Sequence, residues 1–484
     1  MQSVESSFTR NIYKNIKLLK DQLYDSPELN VRFLKLNTNP RYSGALLFID
    51  GIVNTPMIRE SIIEPLLDMR KTDKDSLMEA IAFRYIRSES VEMTTSISTT
   101  IDGIVRGKTL LLIDGFDSGI LVDTAEWQQR PIEQSTRQRN YQGPLIGFSE
   151  QLKVNLNLLH NMIPSPTLKV EKKQIGSMAK TDVAIVFLTD RVDQTALNEV
   201  RHRINSLDVE YVLESRVIEE AVEGNQKTIF PLSYNTELPD AVSAALYEGR
   251  IAIFTNGTPA ATLVPNLFVQ YFQQPSEYYS KLTSFTRILT FFSFFLTILL
   301  PGFYVAVANF HEKWFPKKVL KHYFTHSDTY LPVWIEVLLL LFLLQLLAIG
   351  SYKISKEMIV LISLIATITI STTAVDAKLM HPLSLILVGI TYLSSSLLAI
   401  GALPATIIVA RYIFLLLGNF LGITGLCIGL VVLIIHLSRL RSVGVPYLAP
   451  IIPFNYKEFK DVFYRGNLRK LINSPHKYPH DDNS

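Results

Sequence analysis

The chain has 484 residues and a net charge of +3, with 19% charged and 48% hydrophobic residues. This length predicts two or three structural units rather than one core, and the small net charge gives no reason to expect a nucleic acid partner. The single cysteine, Cys427, excludes an intramolecular disulfide framework. Charged residues are common up to residue 281 and rare from 282 to 440, which predicts a soluble region followed by a membrane region.

The N-terminal stretch lacks the apolar segment of a cleaved signal peptide, so we expect the soluble region on the cytoplasmic side. Hydrophobic residues recur at helical spacing over residues 5–37, which predicts an amphipathic helix. Further elements are predicted, in chain order, as a strand at 45–50, helices at 57–70 and 74–86, and a hairpin formed by 109–114 and 119–122.

A polar stretch over residues 123–139 predicts a linker, and with it two subdomains of α/β or α+β class, residues 1–140 and 141–281. The second subdomain is predicted to contain a helix at 148–162, a strand at 183–189, a helix at 194–207 and a hairpin formed by 251–254 and 260–264.

Motifs of nucleotide binding, hydrolysis or metal binding do not occur in the soluble region. The acidic residues Asp114, Asp117 and Asp123 occur near a turn, where they could hold a cation, but we favour ordinary turn residues that form hydrogen bonds to the backbone. Pairs of histidines four residues apart, such as His322 and His326, have no third ligand nearby. We therefore expect no cofactor, no metal and no catalytic residues, and predict that the chain is not an enzyme.

Five apolar stretches of the C-terminal third approach the length of about 20 residues that a membrane-spanning helix needs. They are residues 289–307, 334–349, 358–374, 383–403 and 406–437. Pro301-Gly302 interrupts the first and is expected to bend or break its helix. The last is too long for one perpendicular crossing, so it is either one tilted helix or two pieces hinged near Gly418-Asn419. Five spans are predicted, with six as the alternative.

Basic residues near the ends of spans favour the cytoplasmic side of a membrane. The tail 441–484 carries seven lysine and arginine residues over 441–477, which places it in the cytoplasm. The segment 310–330 carries four lysines, and its side stays open.

Four glycines follow one another at spacings of four, three and four residues, and a continuous helix would place them on one face. They are Gly418, Gly422, Gly425 and Gly429. A stripe of small residues lets helices approach closely, either within one subunit or around the pore axis of an oligomer.

Polar residues within apolar helices are costly to bury and therefore suggest function. Candidates for a polar path through the membrane are Glu336, Gln345, Asp376 and Arg411. Asp376 and Arg411 could line an aqueous path or form an interhelical ion pair, and either could instead extend to the membrane interface.

Several segments resemble the A subunit of bacterial spore germinant receptors, the GerA family. They are 142–150, 155–159, 168–176, 247–259, 300–305 and 440–450. The resemblance covers about residues 140 to 455, and its motif positions are Gly143, Pro144, Gly147, Phe148, Glu150, Glu248, Gly249, Arg250, Gly257, Pro259, Pro301, Arg441, Gly444, Pro446, Tyr447 and Pro450. The chain departs from the family in its second span, where usual charged positions look like Leu341, Gln345 and Ala348 and leave Glu336.

The resemblance implies a multi-pass sensor in the inner membrane of the spore, which assembles with a transporter-like B subunit and a lipoprotein C subunit. It also implies that A subunits form homo-oligomers and that small nutrients trigger ion release through a path that they form or gate. A secondary transporter with a cytoplasmic regulatory domain is the alternative, although the membrane region shows no internal repeat of the kind common in transporters.

Overall fold

A computed structural model describes residues 7–36, 42–69, 77–126, 146–273, 283–310, 330–350, 353, 356–398, 403–456 and 462. Within 356–376 it gives the backbone throughout but not the side chains of 356–357 and 365–372. The chain divides into a first unit, residues 1–224 and 235–265, and a second unit, residues 225–234 and 266–484. Most of the predicted linker, residues 127–139, and the subdomain boundary near residue 140 lie outside the described ranges.

The first unit begins with a five-stranded antiparallel sheet of order β1-β2-β4-β5-β3. Its elements are α1 (Ile12–Gln22), β1 (Leu29–Lys35), β2 (Ser43–Ile49), α2 (55–67, with a π-helical turn at Arg59–Ile63), α3 (77–85, with a π-helical turn at Ile81–Tyr85), β3 (Val91–Thr94), α4 (Ile97–Val105), β4 (Lys108–Ile113) and β5 (Gly119–Asp123). One continuous hydrophobic core, which contains Leu19, Leu46 and Leu111, joins the helices to this sheet.

A second five-stranded sheet of order β6-β7-β9-β10-β8 follows. Its elements are α5 (Leu152–Met162), β6 (Leu168–Ile175), β7 (Thr181–Leu188), α6 (Gln194–Asn205), α7 (Ser215–Glu223), β8 (Tyr234–Thr236), α8 (Pro239–Tyr247), β9 (Ile251–Thr255) and β10 (Ala261–Val264). The predicted hairpins are confirmed as β4–β5 and β9–β10. Because the strand pairings are antiparallel, the soluble fold is of the α+β class.

The two sheets repeat one architecture, since nine elements follow in the same order and the strands have the same arrangement. Each copy begins with a buried asparagine on its first helix that binds both backbone groups of a residue six positions earlier: Asn15 binds Thr9, and Asn155 binds Ser149. In each copy a side chain of the last hairpin also accepts from the first helical N–H, as Asp114 does from Ile12. The first unit is therefore a tandem structural repeat.

The predicted helix over residues 5–37 is wrong in its second half. The helix ends at Gln22, the chain turns through Tyr24 and Asp25 at positive φ, and β1 follows at Leu29. The strand forms because seven of its residues pair with β2, and such long-range pairing leaves no trace in local hydrophobic spacing.

The second unit is helical. Its helices are α9 (Thr283–Phe310), α10 (Val333–Gly350), α11 (Lys356–Asp376), α12 (Pro382–Ser396) and α13 (Leu403–Arg439). Among the described residues, three helices are long and apolar enough to cross a membrane: Ser284–Phe310, Val333–Gly350 and Leu403–Arg439. A short hairpin of β11 (Arg441–Ser442) and β12 (Val445–Pro446) follows α13. The number of membrane crossings stays a prediction.

Helix α13 reverses its direction at Gly422, whose backbone (φ 59°, ψ −147°) is not helical and belongs to a region that only glycine adopts readily. A straight helix would hold residues 406 and 436 about 45 Å apart, yet they bind the consecutive residues Ile229 and Thr228. Residues 403–421 and 423–439 are therefore the two arms of a helical hairpin. Of the two sequence alternatives, the structure has the two-piece form, with its break four residues beyond Gly418.

Candidate functional site

A close approach of two helices in the second unit joins Gly302 of α9 to Gly418 on the first arm of α13. A Cβ at Gly418 would lie 2.3 Å from the carbonyl oxygen of Gly302, and a Cβ at Gly302 would lie 2.4 Å from that of Phe414. The two backbones can meet in this way only because both positions lack a side chain. Beside this contact, the side chains of Asn309 and Asn419 form a hydrogen bond of 3.0 Å.

The remaining glycines of the predicted stripe lie between the two arms of α13. A Cβ at Gly425 would lie 2.5 Å from the carbonyl oxygen of Leu417, and a Cβ at Gly429 would lie 2.7 Å from the Cδ1 atom of Leu417. The prediction that the four glycines share one helix face is wrong, because Gly422 is the turn between the arms. Gly418, Gly425 and Gly429 make their contacts within this chain.

Glu336, in the first turn of α10, is fully buried and belongs to a polar network that connects three helices. Its Oε2 atom accepts hydrogen bonds from the backbone N–H of His381 at 3.1 Å and from the hydroxyl of Ser384 at 2.9 Å. The Ser384 hydroxyl in turn lies 3.2 Å from that of Tyr304 on α9. The carboxylate thus caps the N-terminus of α12, where the helix dipole stabilises negative charge.

The other carboxylate oxygen of Glu336, Oε1, is buried and has no hydrogen-bond partner among the described residues. A buried carboxylate oxygen without a partner carries a desolvation cost. Such a group in an apolar helical bundle is typical of a site that exchanges protons or contacts a transported ion.

Arg411, on the first arm of α13, is 3% exposed, and its Nε has no hydrogen-bond partner among the described residues. Its guanidinium lies 5.8 Å from the ring centre of Tyr412, within the range of a cation–π interaction. No ion pair between Arg411 and a carboxylate occurs within the described ranges.

The two other candidates for a polar path lie apart from this network. Gln345 is half-buried on α10, and Asp376 is exposed at the C-terminal end of α11. Their participation in a path stays a prediction. The sequence did not indicate Tyr304 and Ser384, and it indicated Gly302 only as part of the interruption at Pro301-Gly302. A serine next to the N-terminus of an apolar helix was the available signal for Ser384.

Family-motif positions of the first unit shape the backbone of the second repeat. Gly249 has φ 83°, and a Cβ there would lie 2.7 Å from the carbonyl oxygen of Arg191. Arg250 is buried and donates from Nε to the carbonyl oxygen of Pro265 at 2.9 Å. The N–H of Gly257 donates to the carbonyl oxygen of Glu150 at 2.7 Å.

The other motif positions before α9 are also placed. Phe148 is buried with its ring edge against Phe254, Gly147 and Pro259 are half-buried, and Glu248 follows the last residue of α8. Gly143 and Pro144 lie outside the described residues. The described motif positions contribute to the backbone turns and the core of the repeat.

The C-terminal motif forms a tight structure after the second arm of α13. Gly444 has φ 85° in the turn between β11 and β12, in which Arg441 pairs with Pro446. Tyr447 is fully buried, and its ring packs against Phe268 at 6.0 Å. The peptide bond before Pro450 is cis. Pro301 lies inside α9, which continues through it, so the helix does not break there, and a bend at Pro301-Gly302 stays a prediction.

Comparison with known proteins identifies the family. Residues 17–477 match the family model described as Bacillus/Clostridium GerA spore germination protein. The chain is 30% identical to spore germination protein KA of Bacillus subtilis (strain 168) over 458 residues, which cover 94% of this chain and 84% of that protein. It is 26% identical to spore germination protein GerLA of Bacillus cereus over 468 residues, 96% of this chain and 95% of that protein.

Among solved structures, the chain is similar to the N-terminal domain of the A subunit of the Bacillus megaterium spore germinant receptor GerK3. The identity is 27% and the TM-score 0.42, over 55% of this chain and 99% of that one. The match of the family model over nearly the whole chain, together with relatives aligned along most of their length, leads to one conclusion: the chain belongs to the GerA family of spore germination proteins.

Proposed function

We propose that this chain is the A subunit of a spore germinant receptor and that its membrane helices form or gate an ion path that opens when a nutrient binds to the receptor. In this proposal it works in the inner membrane of the spore with a transporter-like B subunit and a lipoprotein C subunit. Its first unit faces the cytoplasm, and several A subunits assemble around the path. Family membership and the apolar helices support the proposal.

The observation that carries the ion path is the buried carboxylate of Glu336. A bundle that served only as an anchor would gain stability from an apolar side chain at this position, because burial of a charge is costly. Glu336 instead connects α10 to the N-terminus of α12 and, through Ser384, to Tyr304 of α9. A change of its charge or of its partners would therefore alter how three helices pack.

The mechanism is a population shift between a closed and an open arrangement of the helices. Nutrient binding elsewhere in the receptor favours the open arrangement by the difference in affinity for the two states. The backbones of α9 and α13 meet closely at Gly302 and Gly418, and we propose that small residues there permit the helices to slide without a large change in side-chain packing.

The first experiment deletes the gene and measures nutrient-triggered germination and cation release of the spores against a panel of amino acids, sugars and nucleosides. Loss of the response to one nutrient class, restored by the gene, supports the receptor function. An unchanged response to the whole panel contradicts it.

The second experiment compares Glu336→Gln with Glu60→Gln, a substitution of an exposed glutamate in the first unit. We expect Glu336→Gln to change the rate of cation release at least about tenfold, as the loss of one charge-assisted hydrogen bond predicts, and Glu60→Gln to leave it unchanged. Equal rates in both variants at equal protein levels would argue against an ion path at Glu336.

A further inference from the structure

A ten-residue segment of the soluble sequence belongs to the helical unit. Residues 225–234, which we call the strap, follow α7 and end on the first residue of β8, and both of these elements belong to the second repeat. Nevertheless the strap groups with residues 266–484. The strap is therefore covalently continuous with the second repeat at both ends, while hydrogen bonds of Gln226, Thr228, Ile229 and Leu232 join it to the rest of the second unit.

The first part of the strap binds the end of the second arm of α13 and the strand that follows it. The side-chain amide of Gln226 donates to the carbonyl oxygen of Arg441 and accepts from its N–H at 3.0 Å, so one side chain satisfies both backbone groups of Arg441, the first residue of β11. Two residues later, the hydroxyl of Thr228 lies 3.0 Å from Nε2 of His436. These bonds fix the strap to the C-terminal end of the hairpin.

The next residue binds the other arm. The hydroxyl of Thr406, near the start of α13, donates to the carbonyl oxygen of Ile229. Thr228 and Ile229 are neighbours in the chain, so two consecutive strap residues hold the open end of the helical hairpin, one arm each. Phe230 is buried beside them, with its ring 6.4 Å from that of Phe268 and 6.2 Å from that of His436.

The last part of the strap binds through its backbone. The hydroxyl of Ser442 donates to the carbonyl oxygen of Leu232 at 2.6 Å and accepts from the N–H of Asn266 at 2.9 Å. The hydroxyl of Tyr271 donates to the carbonyl oxygen of Ser233 at 3.1 Å. Carbonyl groups buried in this way need donors, and here the donors come from the segments that flank α9 and α13.

Hydrogen bonds also hold the chain at the point where it leaves α7 and enters the strap. Gly224 follows α7 with φ 73°, and the guanidinium of Arg203 on α6 donates to the carbonyl oxygen of Val222 in the last turn of α7. The strap returns to the repeat as β8, an edge strand of the second sheet. A displacement of α7 or β8 would therefore move a segment that is hydrogen-bonded to both arms of the hairpin.

We propose that the strap is the element that transmits conformational change between the second soluble repeat and the helical hairpin of α13. Its positioning residues are Gln226, Thr228, Ile229 and Leu232, which act on the hairpin through Arg441, His436, Thr406 and Ser442. Rearrangement of the repeat shifts the strap, and the strap changes the separation of the two arms at their open end. This inference rests on the proposed function, which assigns the ion path to the membrane helices. The arms of α13 belong to these helices and pack on α9, the helix that carries Gly302.

The test uses the full receptor in spores and measures the ratio of nutrient-triggered to basal cation release. The double variant Gln226→Ala/Ser442→Ala removes hydrogen bonds at both halves of the strap. A second variant inserts Gly-Ser-Gly between Gly224 and Asn225, which adds slack at one end and keeps every bonding group. The matched control is Lys227→Ala, since Lys227 is an exposed residue of the same strap.

We expect the ratio of triggered to basal release to fall about tenfold in both strap variants, a coupling of the size typical of linked sites. The ratio in Lys227→Ala and the amount of each protein in the membrane should equal those of the wild type. An unchanged ratio in the insertion variant would overturn the inference. The gene deletion separates the two proposals: if deletion leaves the ratio unaltered, the proposed function fails, whereas a lost response on deletion with a normal ratio in both variants rejects the strap alone.

Discussion

The two halves of the first unit have one architecture and differ in one connection. In the first repeat, five residues, 86–90, join α3 to β3, and the N–H of Arg87 bonds to Ser61 within the same repeat. In the second repeat, ten residues, 224–233, join α7 to β8. Among them, Gln226, Ile229 and Leu232 form hydrogen bonds with residues of the second unit. Duplicated folds can thus keep the core and diverge in a loop, which is where insertions cost least.

The most direct test of this difference is to give the second repeat the short connection of the first repeat. Replacement of residues 224–233 by the sequence of residues 86–90 should abolish the nutrient response, because the bonds to Arg441, Thr406 and Ser442 are lost. The sheet of the second repeat should still form, as its counterpart does with this connection. Peptide-resolved hydrogen exchange on the purified chain checks the sheet, and cation release from spores checks the response. Normal release would show that the longer connection is dispensable.

Equivalent glycines test whether the repeats tolerate the same changes. Gly107 and Gly249 each follow a helix at positive φ, and a Cβ would lie 2.8 Å and 2.7 Å from a backbone carbonyl oxygen. We expect Gly107→Ala and Gly249→Ala each to lower the free energy of unfolding of their repeat by about 3 kcal/mol, from backbone strain and overpacking. Hydrogen exchange of each sheet measures the loss.

The matched controls are Gly115→Ala and Gly257→Ala. These hairpin glycines have φ of 91° in both repeats, and a Cβ on either meets nothing within 4 Å. They should cost only about 1 kcal/mol, since strain alone remains. A similar loss in all four variants would mean that the clash at Gly107 and Gly249 is relieved by small shifts.

The buried asparagines Asn15 and Asn155 allow a further comparison of the stability of the two repeats. Asn155 accepts from the N–H of Ser149 at 2.8 Å and donates to its carbonyl oxygen at 2.6 Å, and Asn15 holds Thr9 in the same way. Asn155→Leu and Asn15→Leu leave two backbone groups without partners, at a cost of about 2 kcal/mol each. Urea unfolding followed by hydrogen exchange compares the loss of stability in the two repeats. A difference above about 1 kcal/mol would show that the hydrogen bonds of Asn15 and Asn155 are not equivalent.

The smallest expected effect concerns the contact between the repeats. Glu28 of the first repeat binds His160 at 2.9 Å and Lys172 at 3.0 Å, and Lys169 of the second donates to the carbonyl oxygen of Leu23 at 2.6 Å. Burial lowers the pKa of Lys169 to about 8, against the attraction of Asp25 and Glu28. Between this pKa and its ordinary value of 10.5 the unfolded chain binds more protons than the folded chain, so stability rises with pH.

The measurement is the free energy of unfolding of the purified chain from pH 7.5 to 10.5, compared with that of Lys169→Met. The difference between the two proteins should shift in favour of the wild type as the pH rises through about 8. A difference that does not vary with pH would show that Lys169 has the same pKa in the folded and the unfolded chain.

Local patterns in the sequence determined the elements that local interactions stabilise. The turn pairs Asp114-Gly115 and Asn256-Gly257 predicted both hairpins, because glycine adopts the positive φ that these turns need. Helical spacing predicted α5 and α6, and the apolar runs predicted the long helices of the second unit. The order of the family motifs indicated the GerA family, which the match over residues 17–477 confirms.

Only the tertiary structure decided features that depend on residues distant in the chain. β1 forms by pairing with β2, the apolar run after residue 403 folds back at Gly422, and the strap leaves the soluble repeat for the helical unit. Local periodicity could not show these features, because a strand pairing or a reversal is stabilised by its partner, as the arms of α13 are by each other. The same holds for Glu336, whose Oε2 atom gains its partners from His381 and Ser384 at the start of α12, 45 and 48 residues away.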